Sequence, residues 1–320
     1  MAEKLLEVNH LKKYFKLKSG MLHAVDDISF TLDRGQTMGV VGESGCGKST
    51  LGRTLVKLLE PTSGEIIFEG RDITDVRGSA LKELRTHVQM IFQDPFSSLN
   101  PRKTVHESIL EPLKLNTRLS AEQQEEKVQQ LMDTVGLAER LAYSYPHELD
   151  GGRRQRIGIA RALALDPAFI VCDEPVSALD VSIQAQILNL MQDVQEEKQL
   201  AYLFITHDLS VVRHMADHVL VMYLGQMVEY AEADDLFGRQ FHPYTRALLS
   251  AIPIPSVDVK RERIILRGEI TSALNPGPGC RFAPRCPYAD EQCRRTAPEL
   301  SELEPRHFVA CHHPETQPQG

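Results

Sequence analysis

The stretch Gly42-Glu43-Ser44-Gly45-Cys46-Gly47-Lys48-Ser49 constrains this chain more than any other. It follows an apolar run, Met38-Gly39-Val40-Val41, and precedes a helical pattern over 49–59. Glycines at both ends let backbone N–H groups turn towards a ligand, and the helix that follows points its positive end at the same place. Strand, glycine-rich loop and helix in that order make a cradle for a polyphosphate. Gly42, Ser44, Gly45, Cys46, Gly47 and Thr50 form its wall and floor. Lys48 is the group expected on the β- and γ-phosphates, and Ser49 the hydroxyl expected on Mg²⁺.

The rest of the chain repeats the alternation that such a loop needs. Residues 5–35 alternate apolar and polar with short turns, which predicts antiparallel strands. Short apolar runs at 88–92, 168–172, 201–205 and 219–224 are separated by helical patterns, including 182–195, and that predicts a mostly parallel α/β sheet with crossovers. Ser120 to Val135 reads as a charged amphipathic helix with Ser120 as N-cap and Glu122 or Gln123 completing the cap. Asp173 and Glu174 end an apolar strand, where ligands bind at the carboxyl edge of a parallel sheet. Asp173 suits a place in the Mg²⁺ shell and Glu174 a base that polarises water. Gln93, after Met90-Ile91-Phe92, suits Mg²⁺ or that water, and His207, after Tyr202-Leu203-Phe204-Ile205-Thr206, suits the γ-phosphate.

Composition excludes several alternatives. At 42% apolar and 25% charged residues the chain has the make-up of an ordinary globular protein. There is no apolar run of about 18 residues to span a bilayer, and the start lacks the apolar core of a secretion signal, so the chain is expected in the cytosol. A net charge of −8 argues against a nucleic-acid partner.

These motifs, in this order, resemble the ATP-binding subunits of ABC transporters. The resemblance covers about 1–250. It implies a P-loop ABC ATPase core with an antiparallel β subdomain and a helical subdomain at about 95–165. It makes Glu174 the catalytic base, Gln93 the Q-loop glutamine and His207 the switch histidine. It places Ser49, Gln93 and Asp173 around Mg²⁺ and makes Ser177-Ala178-Leu179-Asp180 the D-loop. Phe15 resembles the aromatic that stacks on adenine, with Tyr14 as the alternative. Leu149-Asp150-Gly151-Gly152-Arg153 stands where the family carries its signature, which acts on ATP held by a partner subunit. Stretches such as Phe92-Gln93-Asp94-Pro95-Phe96-Ser97-Ser98-Leu99-Asn100-Pro101-Arg102 and His242-Pro243-Tyr244-Thr245-Arg246-Ala247-Leu248-Leu249 are similar to the oligopeptide and dipeptide importers, and to the F-type of their two ATPases. That implies a heterodimer with a second homologous ATPase at the cytoplasmic face of the membrane. It also implies two permease subunits and an extracellular peptide-binding protein. An importer of nickel or another small solute is the alternative.

Beyond residue 251 the chain turns Pro-, Arg- and Cys-rich with little periodicity, and a regulatory or cluster-binding extension is expected over 251–320. Four of the six cysteines fall there: Cys280, Cys286, Cys293 and Cys311. No pair is C-x2-C, so the spacing is not that of an ordinary zinc knuckle. Four thiolates on an irregular tail suit a [4Fe–4S] cluster, which the resembling family also carries; zinc is the competing occupant. Arg281, Arg285, Arg294 and Arg295 are candidates to offset the cluster's charge, and His312 and His313 are alternative ligands. The signature departs from the family's LSGGQ at Asp150, where Ser is usual, and at Arg153, where Gln is usual and which could pair with Asp150. Asp150 matters more. It caps a helix as well as serine does, but it sets a negative charge towards a polyanion, so an unequal pair of ATP sites is expected.

Overall fold

The structure is a computed structural model that describes residues 3–251, 264–266, 268 and 272–314. In chain order its first elements are β1 (Lys4–Leu17), β2 (Gly20–Asp33), β3 (Thr37–Val41), α1 (Lys48–Leu55), β4 (Ser63–Phe68), β5 (Arg71–Asp72), α2 (Gly78–His87) and β6 (Val88–Ile91). There follow α3 (Pro95–Ser98), α4 (Val105–Asn116), α5 (Ala121–Thr134), α6 (Gly151–Leu163), β7 (Phe169–Asp173), α7 (Val181–Lys198) and β8 (Ala201–Ile205). The last are α8 (Leu209–Met215), β9 (His218–Tyr223), β10 (Gln226–Glu232), α9 (Ala233–Gly238), α10 (Pro243–Ser250), α11 (Glu291–Arg295), β11 (Ser301–Glu304) and β12 (His307–Val309). They fall into two compact units, one drawn from Met1–Leu5, Leu32–Gln36 and Asp75–Phe204, the other from Leu6–Thr31, Thr37–Thr74 and Ile205–Gly320.

In the first unit the strands run in the order β8-β7-β6, and β6 pairs β7 in parallel from Val88↔Phe169 to Ile91↔Cys172. All five residues of β7 are buried. That is why its sequence is a continuous apolar run rather than an alternating one. The expected helical subdomain is α3 to α6. Its helices begin where side chains can hold free N–H groups: Thr104 and Glu107 form a reciprocal capping box on α4, Ser120 and Gln123 one on α5. Arg161 of α6 donates to Ser98 O at 2.6 Å and so ties the subdomain's first turn to its last helix.

The second unit holds two sheets. The expected antiparallel subdomain is the order β2-β1-β4-β5, with β1 against β4 from Leu6↔Phe68 to Lys12↔Ser63. The other runs β11-β12-β10-β9-β3, with β3 and β9 parallel and the outer strands antiparallel. The tail is more regular than its sequence predicts. β12 pairs β10 at Glu229↔Val309 and Tyr230↔Phe308, and Leu274 bridges Leu22 while His23 N donates to Ala273 O at 3.0 Å. Strands of four and three residues are too short to show a period of two, so the pattern was invisible. Phe282 of the tail is 1% exposed. Its ring lies 5.2 Å from that of Tyr223 and 5.6 Å from that of Tyr244. Buried Glu229 accepts from Phe241 N at 2.7 Å and His242 N at 3.1 Å and faces His307 Nε2 at 2.8 Å, which fastens β12 to the start of α10. The break expected at Ile252-Pro253-Ile254-Pro255 and the disordered end expected at 315–320 lie outside the described residues.

Candidate functional site: the phosphate loop, the acidic strand end and the cysteine cradle

In the second unit β3 is buried throughout and delivers the chain into the phosphate loop. Gly42, Gly45 and Gly47 all have positive φ (150°, 79° and 110°). At two of them a side chain also has no room: a Cβ would meet Met222 O at 2.2 Å from Gly42 and Ala24 O at 2.0 Å from Gly47. Ser44 and Gly45 are exposed at the crest, while Cys46 is 3% exposed and its thiol is pushed up by burial. Ser49 and Thr50 are half-buried in the first turn of α1. Lys48 is buried, and its Nζ donates to Gly42 O at 2.7 Å and Glu43 O at 3.1 Å. Its charge is thus held by the loop's own carbonyls.

Of the two aromatics weighed for adenine, Phe15 is half-buried with Lys13 Nζ 4.9 Å from its ring centre. Tyr14 is engaged elsewhere. Its ring stacks on His23 at 3.9 Å and its hydroxyl donates to Asp26, an interaction that with burial lifts the phenol well above the usual tyrosine range. His207 follows β8 and is exposed; the adjacent Asp208 caps α8 by accepting from Ser210 N at 2.8 Å.

In the first unit Asp173 ends β7 and is 1% exposed. Glu174, half-buried, stands in the left-handed region at φ 49°, so the chain turns sharply and its side chain leaves the line of the strand. Gln93 Nε2 donates to Glu174 Oε2 at 2.8 Å, which brings together two residues that are 81 apart in sequence. Asp150 caps α6 by accepting from Arg153 N at 2.8 Å, and Arg153 Nε comes to 3.4 Å from its other oxygen. The signature glycines have a packing reason. A Cβ on Gly152 would meet Ile183 Cγ2 at 2.6 Å, and one on Gly151 would meet Leu179 Cδ2 at 3.1 Å. Signature and D-loop are therefore in contact, with Ser177, Ala178 and Asp180 exposed beside them.

The tail cysteines gather. Cys286 feels the charges of Cys280 and Cys293, and Cys311 those of all three others; with burial as the larger cause, every one of the four thiols is raised, Cys311 to about 12. Neighbouring backbone amides act in the opposite sense and lower the thiols, those of Phe282 and Ala283 at Cys280, of Tyr288 and Ala289 at Cys286, of Asp290 at Cys293, and of His313 at Cys311. Amide N–H groups aimed at sulfur favour the thiolate, while burial and mutual repulsion oppose it. A cation reverses that balance, and the donor set fits a thiolate-bound metal or cluster. His313 joins Asp290 and Cys293 in a group whose ligand atoms lie within 4.8 Å of one another, so it is a stronger alternative ligand than the sequence indicates. Arg281 and Arg285, candidates to offset a cluster, are instead paired with Asp26 and Glu43. These ties escape sequence reading because their partners lie 255 and 242 residues away.

Among the described residues no helix is long and apolar enough to cross a membrane. Residues 25–177 match the ABC transporter family, and residues 228–293 match the oligopeptide/dipeptide transporter C-terminal region. The chain is similar to the oligopeptide transport ATP-binding protein AppF of Bacillus subtilis, 53% identical over 97% of each chain. It is 50% identical to the dipeptide transport ATP-binding protein DppF of Haemophilus influenzae over 97% of this chain and 96% of that one. Among solved structures, the ATP-binding cassette MJ0796 in a dimer bound to ADP and Pi aligns with TM-score 0.66 and 27% identity over 72% of this chain and 99% of that one. CbiO1 of Clostridium perfringens aligns with TM-score 0.67 and 27% identity over 74% of this chain and 92% of its own. The chain is an ATPase of the ABC transporter family, in the branch that carries the oligopeptide/dipeptide transporter C-terminal region.

Proposed function

We propose that this ATPase energises import of oligopeptides or dipeptides at the cytoplasmic face of a membrane. It pairs with a second homologous ATPase beneath two permease subunits, and an extracellular binding protein supplies the peptide. The observation that carries this reading is the pairing of the cassette with the peptide-transporter C-terminal region in one chain, at 53% identity to an oligopeptide transport subunit over nearly full length. The cassette is taken as 1–250 and the extension as 251–320. Lys48 and the loop N–H groups hold the phosphates, with Phe15 against the adenine. Ser49, Gln93 and Asp173 would hold Mg²⁺, which when bound neutralises charge on the phosphates. Glu174 takes a proton from the water that attacks the γ-phosphorus as the bond to ADP breaks. Gln93, already on Glu174, orients that base, and His207 contacts the γ-phosphate. Asp150, Gly151, Gly152 and Arg153, with the D-loop, act on the ATP of the partner.

The four tail cysteines are proposed to hold a [4Fe–4S] cluster, supported by thiols close enough to feel one another's charge and by the ligand group of Asp290, Cys293 and His313. Protein prepared without oxygen should carry roughly four iron and four sulfide per chain. Zinc without sulfide would rule out the cluster. For transport, the chain reconstituted with its membrane partners should couple ATP hydrolysis to uptake of a labelled peptide. Uptake of nickel in place of peptide would overturn the substrate assignment.

A further inference from the structure

We propose that Arg285 is a positioning residue for ATP binding: it fixes the first half of the phosphate loop and cancels a carboxylate built into that loop. Glu43 is the second residue of the loop, and nothing in G-x-x-x-x-G-K-S calls for an acid there. Unpaired, its charge would oppose a polyphosphate. Arg285 reaches it from the cysteine-rich tail through a two-pronged contact, Nη1 to Oε2 at 2.6 Å and Nη2 to Oε1 at 3.0 Å. The two side chains are 6% and 23% exposed, so the pair is largely withdrawn from solvent screening.

Glu43 is held at three points. Its N–H donates to Tyr244 Oη at 2.7 Å, its carbonyl accepts from Lys48 Nζ at 3.1 Å, and its carboxylate takes the Arg285 fork. Two residues on, Gly45 has no atom within 4 Å of where a Cβ would stand. The loop is therefore clamped at Glu43 and again at Cys46 and Gly47, and open at the crest between them, Ser44 and Gly45. Arg285 is itself anchored. Its N–H donates to Phe282 O at 2.9 Å, and Phe282 is wedged into the core between Tyr223 and Tyr244. Arg281 supplies a second brace behind the loop. It donates to Leu224 O and Asp26, while Gly225 N donates to Cys46 O at 2.8 Å and Asp26 N to Gly225 O at 2.7 Å. The tail thus reaches the nucleotide cradle through two arginines that lie between Cys280 and Cys286 in sequence.

The test titrates the full chain with a fluorescent ATP analogue and Mg²⁺. Removing one partner of a buried ion pair leaves the other charge uncompensated. Arg285→Gln should therefore raise Kd about tenfold or more, with KM for ATP rising and kcat at saturation little changed. Adding Glu43→Gln to Arg285→Gln removes the stranded carboxylate and should restore Kd to within about threefold of the parent, a coupling that independent sites would not show. Arg285→Lys keeps the charge but not the fork and should fall between. A folded Arg285→Gln chain with the parent's Kd, or a double variant as weak as the single, would overturn the proposal. If Arg285→Gln fails to fold, Arg285→Lys decides, and an unchanged Kd there removes the need for the fork.

Discussion

The phosphate loop and the signature segment are both short glycine-bearing turns into a helix, yet they are held in opposite ways. The phosphate loop is braced from far along the chain, by Arg285, Tyr244 and Gly225, and its lysine is buried. The signature is held by its neighbours. Asp150 binds Arg153 three residues on, its glycines rest on Leu179 and Ile183, and its charged side chains stay about half in solvent. A loop that must grip its own ligand is rigidified from behind. The signature, which under the proposed function would meet a ligand carried by another subunit, is left exposed and self-supporting. The same contrast separates buried Asp173 from exposed Asp180 in the first unit.

The sharpest way to break this contrast is at Glu174. If the chain's own acidic strand end serves its own ATP, Glu174→Gln should leave nucleotide affinity intact and lower turnover in the assembled transporter by about 10² to 10⁴, the range for loss of a general base. Turnover at the parent rate would remove Glu174 from that role. Gln93 gives an internal control. Its 2.8 Å bond to Glu174 survives in the Gln variant, so the geometry is kept while the proton acceptor is lost.

A smaller effect is expected from the brace. Phe282 is fully buried among Tyr223 and Tyr244, and Phe282→Ala should cost about 3–5 kcal/mol. Because the same turn carries Arg285, the loss should reach the phosphate loop, and ATP affinity should fall along with the melting temperature. The signature should not feel it. Hydrogen exchange across α6 should match the parent, while exchange across 280–295 and 42–48 rises. A uniform rise in both units would erase the contrast.

How much of this was legible follows from the range of each interaction. The motifs were readable because their chemistry is local. Lys48 lies beside the carbonyls that hold it, Ser120 beside Gln123, and Asp150 beside the N–H groups it caps. The apolar strands were readable because β3, β7 and β8 are buried on both faces, so their bounds shift by only a residue or so. What stayed hidden needed long-range pairing. Glu43 reads as a filler residue of the loop until Arg285 is placed against it. Arg281 and Arg285 read as counter-charges for a cluster until Asp26 and Glu43 are seen to hold them. The hairpin of β11 and β12 stayed hidden because half its residues are charged or exposed and its anchor, Glu229 with His307, is a buried polar pair that composition places on the surface.

The smallest expected effect concerns Asp150 and separates its two roles. As a cap it accepts from Arg153 N at 2.8 Å, and serine does this equally well, so Asp150→Ser should leave stability within about 0.5 kcal/mol while Asp150→Ala costs about 1 kcal/mol. The ion pair with Arg153 adds little, since both side chains are about half exposed and such i,i+3 pairs are worth about 0.5 kcal/mol at most. In the proposed site completed by the partner's ATP, the residue would behave differently. An ionised carboxylate cannot donate to a γ-phosphate, whereas a serine hydroxyl can. The residual charge left by a 3.4 Å contact to Arg153 would still oppose the polyanion there. The expected outcome is an assembled heterodimer in which Asp150→Ser, neutral for folding, raises turnover at the site facing this signature. The clean measurement uses Glu174→Gln in this chain to silence the other site. Turnover that remains then belongs to the Asp150-facing site and should rise when Asp150→Ser is added. No change in that background would confine Asp150 to its capping role, and with it the contrast between a loop that holds its own ligand and a surface that tunes its partner's.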